Sequence, residues 1–165
     1  MLVLGVDPGT ATTGYALVAE DQAGQLQLVR YGVFRTPADM PMPERLQSIH
    51  RQMMDLIRQT APDAVAVEEL FFKRNVTTAL TVGQARGVVL LAAAQAGLTV
   101  HEYKPAEVKQ ALVGYGSASK QQVQEMLRIM LELSAIPSPD DAEDAIAVAI
   151  CHLHSRRLSR LLANS

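Results

Sequence analysis

Acidic side chains follow two short apolar segments of the sequence, each at the point where the segment ends. Asp7 comes directly after residues 2–6, and Glu68 comes directly after residues 64–67. Short apolar runs bounded by turn residues are typical of buried strands, and open α/β sheets place their sites at the carboxyl ends of such strands. If the two strands are adjacent and parallel, both carboxylates emerge at the same edge of the sheet.

A third group of acids lies at the predicted start of the last helix. Asp141 and Asp144 are three residues apart, so they share one face of that helix. The same helix carries small side chains that let it pack closely against a sheet, namely Ala142, Ala145, Ala147 and Ala149. Close packing would bring both acids toward Asp7 and Glu68.

Carboxylates gathered in one place repel each other and raise their pKa values unless a cation is present. A ligand set made only of oxygen atoms favours Mg²⁺, with Mn²⁺ as a substitute, over zinc. Two such ions can activate a water molecule and stabilise the leaving oxygen of a phosphodiester. We therefore predict a site for two metal ions, whose ligands and catalytic residues are Asp7, Glu68, Asp141 and Asp144.

Each acid also has a purely structural interpretation. Asp7 could be a turn residue, and Glu68 could be a solvated strand end. Residues 138–141 read Ser-Pro-Asp-Asp, which fits a helix N-cap, so Asp141 could be a capping carboxylate. The joint placement of the acids favours the metal site. Three neighbouring acids point away from this group by strand or helix periodicity and are assigned no role, namely Glu69, Asp140 and Glu143.

The composition of the chain excludes several classes of protein. The chain has 165 residues, which is enough for one domain, and 48% of them are hydrophobic, which excludes disordered and collagen-like classes. The single cysteine, Cys151, excludes a disulfide framework and fits a reducing cytoplasm. The N-terminus lacks the basic segment of a signal peptide, and no apolar run could span a bilayer. We therefore expect a cytoplasmic protein without a membrane segment.

The apolar pattern predicts the elements that would position the acids. The predicted strands are residues 2–6, 13–19, 26–35, 64–67 and 98–103. The predicted helices are residues 43–60, 77–96, 105–113, 120–133 and 139–158. This order predicts an α/β fold with a five-stranded mixed sheet and helices on both faces. We assign residues 1–158 to a single domain and residues 159–165 to a short C-terminal tail.

Five segments of the sequence resemble the RuvC family of bacterial Holliday junction resolvases. They read GVDPGTATTGYAL, VEELFFKRN, LTVGQARGV, VKQALVGYGSASKQQV and DDAEDAIAVAICH, in order from Met1 to about His154. The resemblance implies a ribonuclease H-like nuclease domain and Mg²⁺-dependent paired nicking of four-way DNA junctions. It also implies a symmetric homodimer, with a branch-migration helicase complex as a further partner.

The same motifs imply roles for individual residues. The family's catalytic and metal-binding acids fall on the residues that spacing also selects, Asp7, Glu68, Asp141 and Asp144. The family's base-contacting aromatic falls on Phe71, and its two important lysines fall on Lys109 and Lys120.

Basic residues are concentrated in one part of a chain whose net charge is −2. All four lysines lie between residues 73 and 120. A locally positive face is what binding to DNA phosphates requires, although scattered basic residues also solvate helices. We expect Phe72 to fill the core and Phe71 to stack on, or wedge between, unpaired bases. The predicted DNA-binding residues are Phe71, Lys73, Arg74, Lys109 and Lys120.

The predicted helix at residues 77–96 is the candidate dimer interface. Arg86 is its only charged residue, and its surface is more apolar than contact with one sheet would bury. A junction must be cut on two strands of like polarity, and one small domain holds one site. We therefore expect two copies of the chain to pair through this helix.

Two other functions are compatible with the acids. A related ribonuclease H-like nuclease could process RNA precursors, and a junction-binding protein could hold DNA without cutting it. The segments VGQARG and ASKQQV favour the resolvase over the first alternative, and the intact acids argue against the second.

Overall fold

A computed structural model of the chain describes residues 1–69 and 76–163. The strands within them are β1 (Leu2–Asp7), β2 (Thr12–Glu20), β3 (Leu26–Arg35), β4 (Ala64–Glu68) and β5 (Val100–Tyr103). They form one sheet in the order β3-β2-β1-β4-β5. β1 pairs with β2 antiparallel and with β4 parallel, and β5 continues the parallel part. The predicted five-stranded mixed sheet is therefore confirmed.

Helices cover both faces of this sheet, as predicted. They are α1 (Met42–Thr60), α2 (Val76–Gln95), α3 (Pro105–Val113), α4 (Lys120–Met130) and α5 (Asp140–Ala163). α1 and α2 pack on one face, where Met53 and Val89 are fully buried. The other three pack on the opposite face, around Leu127 and Ile150. Among the described residues, no helix has the length and apolar character needed to cross a membrane.

Helix α5 forms the centre of the second layer. Every residue from 145 to 153 is buried, so the helix is enclosed on all sides along this stretch. The sheet lies against one side, while Leu112 of α3 and Leu127 of α4 belong to the core on the other. An enclosed helix needs small or apolar residues on all of its faces, which explains the run of alanine, valine and isoleucine there.

The last helix is longer than the sequence pattern predicts. It continues to Ala163, five residues into the segment that we assign as a C-terminal tail. Leucine and arginine favour helix, and no glycine or proline interrupts this stretch. The leucines at its end are largely exposed, namely Leu158, Leu161 and Leu162.

Two other element ends differ from the prediction for local reasons. α4 ends before residue 133 because Glu132 takes a left-handed conformation, with φ of 51°. β5 begins after residue 98 because the Leu98 N–H group donates to the Ala93 carbonyl oxygen and so belongs to the end of α2. Gly97, predicted to terminate that helix, has a φ of 71°.

Candidate active site

Asp7 and Glu68 lie side by side at one edge of the sheet. Val6 of β1 is paired with Val67 of β4 in parallel register, so the next residue of each strand is an acid at the same level. Both side chains are partly exposed, whereas the residues before them are buried. The placement expected from the sequence is therefore present, because the strands that carry these acids are neighbours.

The turn after Asp7 is held by a buried hydroxyl group. Thr13 is fully buried, and its Oγ1 atom donates to the Gly9 carbonyl oxygen (2.6 Å). A Cβ atom on Gly9 would lie 2.2 Å from the Thr12 carbonyl oxygen, so only glycine fits this turn. The turn directs the chain from β1 straight into β2 and leaves Asp7 at the open edge.

Two glycines allow α5 to lie directly on the sheet. A Cβ atom on Gly14 would lie 1.8 Å from the Asp141 carbonyl oxygen, and one on Gly5 would lie 2.0 Å from the Ala145 carbonyl oxygen. Gly14 is also the register partner of Asp7. The first turn of α5 therefore packs against the backbone beside Asp7, and its acids reach the same edge of the sheet.

The substitution Gly14→Ala tests this close approach. The added methyl group would overlap the Asp141 carbonyl and push the start of α5 away from Asp7. We expect a loss of about 1–3 kcal/mol in the free energy of unfolding, together with a lower rate of DNA nicking. Thermal denaturation measures the loss of stability, and a nicking assay on the same preparation measures the rate. A variant with wild-type melting temperature and rate would contradict the packing of α5 on β2.

The acids of this edge raise each other's pKa values. Burial, followed by the charges of Glu68, Asp144 and Asp141, raises the pKa of Asp7 to about 8. Burial and the charge of Asp144 raise the pKa of Glu68 to about 7. Burial, followed by neighbouring carboxylates, raises the pKa of Asp144 to about 6. Burial, reinforced by the neighbouring carboxylates, therefore disfavours the charged form of all three acids, and a bound cation would favour it.

Two lysines bring positive charge to this group from different helices. The Lys109 ammonium of α3 lowers the pKa of Glu68. The Lys120 ammonium of α4 lowers the pKa of Asp144 and forms an ion pair with Asp140. Two of the three lysines predicted to bind DNA, Lys109 and Lys120, therefore lie within electrostatic range of the acids. Asp140, which we assign no role, serves as a partner of Lys120.

The acids offer a metal ion oxygen ligands only. Among residues 1–69 and 76–163, no three histidine, cysteine, aspartate or glutamate side chains are placed to hold one ion together as they stand. The donor set fits Mg²⁺ or Mn²⁺, which would draw the side chains together.

Glu143 is the acid that sequence periodicity misplaces. We expect it to point away from the other acids and assign it no role, whereas the structure buries it, with only 1% of the residue exposed. Gln124 of α4 donates a hydrogen bond to it from Nε2 to Oε2 (2.8 Å). The relevant signal would have been the packing of α4 on this face of α5, which periodicity within one helix does not reveal.

Three of the predicted DNA-binding residues lie outside the described residues. They are Phe71, Lys73 and Arg74, and their roles remain predictions. The structure does describe Arg86, which lies in the same basic stretch of sequence. Its guanidinium pairs with Glu102 of β5.

This strand order, with acids on two adjacent strand ends and on the helix that crosses them, defines a ribonuclease H-like nuclease domain. The family model described as crossover junction endodeoxyribonuclease RuvC matches residues 3–152. The chain therefore belongs to the RuvC family of crossover junction endodeoxyribonucleases, as its motifs predict.

Curated relatives and solved structures agree with this family. The RuvC endonuclease of Heliobacterium modesticaldum is 61% identical over 155 residues, covering 94% of this chain and 95% of that protein. The structure of Thermus thermophilus RuvC is 40% identical, with a TM-score of 0.90 and coverage of 96% of this chain and 97% of that one. T. thermophilus RuvC in complex with Holliday junction substrate gives a TM-score of 0.92 at 40% identity and 96% coverage of both chains.

Proposed function

We propose that the chain is a metal-dependent endonuclease that resolves four-way DNA junctions by paired, symmetric nicks during recombination and repair. The observation that carries this function is the acid group of Asp7, Glu68, Asp141 and Asp144, with Lys109 and Lys120 in electrostatic range. The relative from T. thermophilus in complex with a Holliday junction supports the same substrate.

The chemistry requires positions for a water molecule, a phosphodiester and neutralising charge. Two Mg²⁺ ions per site, or Mn²⁺ in their place, would be held by the four acids and would supply the positive charge that activates water and stabilises the leaving oxygen. Asp7 and Glu68 hold their side of the site on the rigid strand ends. Asp141 and Asp144 hold the other side from α5. Lys109 and Lys120 add positive charge that attracts and orients the phosphate.

A nicking assay separates this function from its alternatives. The substrates are a synthetic four-way junction, a linear duplex and an RNA hairpin, each with and without Mg²⁺. We expect paired nicks in the four-way junction only, and only with the metal. Cleavage of the RNA hairpin would support the alternative of RNA processing. Junction binding without nicks would support a non-catalytic protein.

The two lysines make a prediction that salt dependence can check. Lys109→Ala and Lys120→Ala should each weaken junction binding or nicking and reduce the slope of log affinity against log salt by about one unit per lost phosphate contact. Lys104→Ala is a matched control, because this exposed lysine lies in the same basic stretch. If both variants have the salt slope and the nicking rate of the wild type, Lys109 and Lys120 are ordinary surface residues that do not contact the DNA.

The exposed face of α2 supports the proposed homodimer. Leu80 and Leu91 are 65% and 52% exposed, and they lie about three helical turns apart on one side. Gln84 and Gly87, between them on this side, are exposed and uncharged. A Cβ atom on Gly87 would meet no other atom within 4 Å. An uncharged, partly apolar face of this kind is suited to a second copy of the chain.

Sedimentation at micromolar concentration tests the dimer. We expect a species of twice the 17.9 kDa chain mass, and we expect Leu91→Glu to shift it toward the monomer by burying a charge at the interface. Leu158→Glu, on the exposed end of α5, is the matched control. A fully active wild-type monomer would contradict the homodimer. By family resemblance we also infer a cytoplasmic location and a branch-migration helicase complex as partner.

A further inference from the structure

A buried carboxylate joins helices α4 and α5 beside the acid group. Glu143 is 1% exposed, and Gln124 Nε2 donates a hydrogen bond to its Oε2 atom (2.8 Å). An apolar side chain of similar size would join two helices without the cost of burying a charge. A polar pair differs from apolar contacts in one respect, because its donor and acceptor must face each other.

A second polar link joins the same helices. At the first residue of each helix, the Lys120 ammonium pairs with the Asp140 carboxylate. Gln124 follows Lys120 by four residues and Glu143 follows Asp140 by three, so both links lie along one face of each helix. Two links one helical turn apart fix both the sliding and the rotation of α4 against α5.

The buried link is the one that holds its geometry in water. The Lys120 and Asp140 side chains are 50% and 75% exposed, and an exposed ion pair constrains its partners weakly. Val123 and Leu127 of α4 are buried in the core, and their apolar contacts hold the helix in place without requiring a donor and an acceptor to face each other. The bond from Gln124 to Glu143 therefore sets the position from which the Lys120 side chain extends.

We propose that Glu143 is a positioning residue for the nicking reaction, which acts through Gln124 to hold the Lys120 ammonium beside Asp144 and toward the DNA phosphate. The inference rests on the proposed function. Because Glu143 is buried, its action is through Gln124 rather than by contact with the DNA. A shift of about 1 Å in a group that orients the substrate can lower a rate by about a hundredfold, so losing the bond reduces nicking while the fold survives.

Substitutions at Glu143 separate the hydrogen bond from the charge. Glu143→Gln keeps an oxygen that accepts from Gln124, whereas Glu143→Leu removes the acceptor, and both remove the same negative charge. We expect Glu143→Leu to lower the single-turnover nicking rate by about tenfold to a hundredfold, with Glu143→Gln within about twofold of wild type. Gln121→Leu, at an exposed position of α4, is the matched control. A Glu143→Gln variant as slow as Glu143→Leu would overturn the proposal.

A variant with leucine at both positions separates positioning from stability. Replacing both partners of a buried polar pair by apolar groups is often neutral or stabilising, so Gln124→Leu with Glu143→Leu should keep the wild-type melting temperature. Its nicking rate should still be as low as that of Glu143→Leu. A wild-type rate in this variant would overturn the proposal.

A double-mutant cycle with Lys120→Ala identifies the residue through which Glu143 acts. In the Lys120→Ala background, Glu143→Leu should change the nicking rate by less than about twofold, because the group that it positions is gone. Full additivity of the two losses would overturn the proposal, since Glu143 would then act independently of Lys120.

Junction binding in metal-free buffer provides a readout that does not depend on nicking. The double-leucine variant should lose about one unit of salt slope, as Lys120→Ala does. An unchanged slope would overturn the positioning of Lys120 by Glu143. A wild-type enzyme that binds four-way junctions without nicking them would instead overturn the proposed function, and the slope would still decide the role of Glu143.

Discussion

Asp144→Asn is expected to reduce junction nicking by several orders of magnitude while junction binding survives. Asparagine keeps the size and hydrogen bonding of the side chain but removes a hard anionic ligand, so a metal ion at this site would lose one of its contacts. Binding should stay equal or become tighter, because one negative charge near the DNA phosphates is removed. Nicking of a synthetic junction and a gel shift in metal-free buffer measure the two effects.

The helix itself does not require the charge of Asp144. The N–H groups of Ala142 and Glu143 donate to the Pro139 carbonyl oxygen, and Asp144 lies beyond the first turn. Its pKa is raised by burial and by neighbouring carboxylates, so removing its charge should leave the metal-free melting temperature unchanged or slightly higher. Glu69→Gln removes a nearby charge to which we assign no role and serves as the control. Parallel loss of nicking, binding and stability would identify Asp144 as a structural residue.

Three acids of the site are expected to contribute less and less to the stability of the metal-free protein as pH rises from about 4 to about 8, while His152, whose pKa is lowered to about 4, acts in the opposite direction below about pH 6.5. The pKa values of Asp7, Glu68 and Asp144 are raised to about 8, 7 and 6 in the folded chain. In the unfolded chain these groups titrate near pH 4, so the folded state holds more protons on them throughout this window. Their stabilising contribution is complete below the unfolded pKa and is lost as pH rises through the folded values. For each group, a difference of one unit between its folded and unfolded pKa corresponds to about 1.4 kcal/mol in the free energy of unfolding.

Mg²⁺ is expected to reverse this loss at high pH, because deprotonated carboxylates bind the ion and the folded state is stabilised by binding. Thermal denaturation between about pH 5 and pH 9, with EDTA or with Mg²⁺, measures the effect. Asp7→Asn removes the group with the largest shift and should flatten the metal-free profile. A wild-type melting temperature independent of pH in EDTA would show that the acids do not crowd each other.

The positions of the acids could be predicted because their signals are local. Asp7 and Glu68 end apolar runs, and Asp141 and Asp144 begin a helix, so each could be assigned to an element from neighbouring residues alone. Whether β1 and β4 are adjacent depends on how the whole chain folds. The sequence pattern therefore predicts that the two acids meet only if these strands are neighbours. The parallel register of Val6 with Val67 satisfies that condition.

Features that depend on contacts between distant elements could not be predicted in this way. The residues around Gly14 do not show why a glycine is needed within this strand. The reason is that the Asp141 carbonyl oxygen of α5 packs directly against it. Glu143 has a polar side chain in a helix, and only the packing of α4 buries it against Gln124. In both cases the decisive neighbour is distant in the sequence.

The enclosure of α5 ties the cutting activity of the protein to its structural integrity. The stretch from residue 145 to 153 is buried throughout and leads back directly to Asp144 and Asp141. A local opening that releases this helix removes Asp141 and Asp144 from the site and uncovers the core on this face of the sheet in one event, so damage to the fold and loss of the nuclease coincide. A chain in which α5 has opened is therefore expected to lose its nicking activity together with its fold.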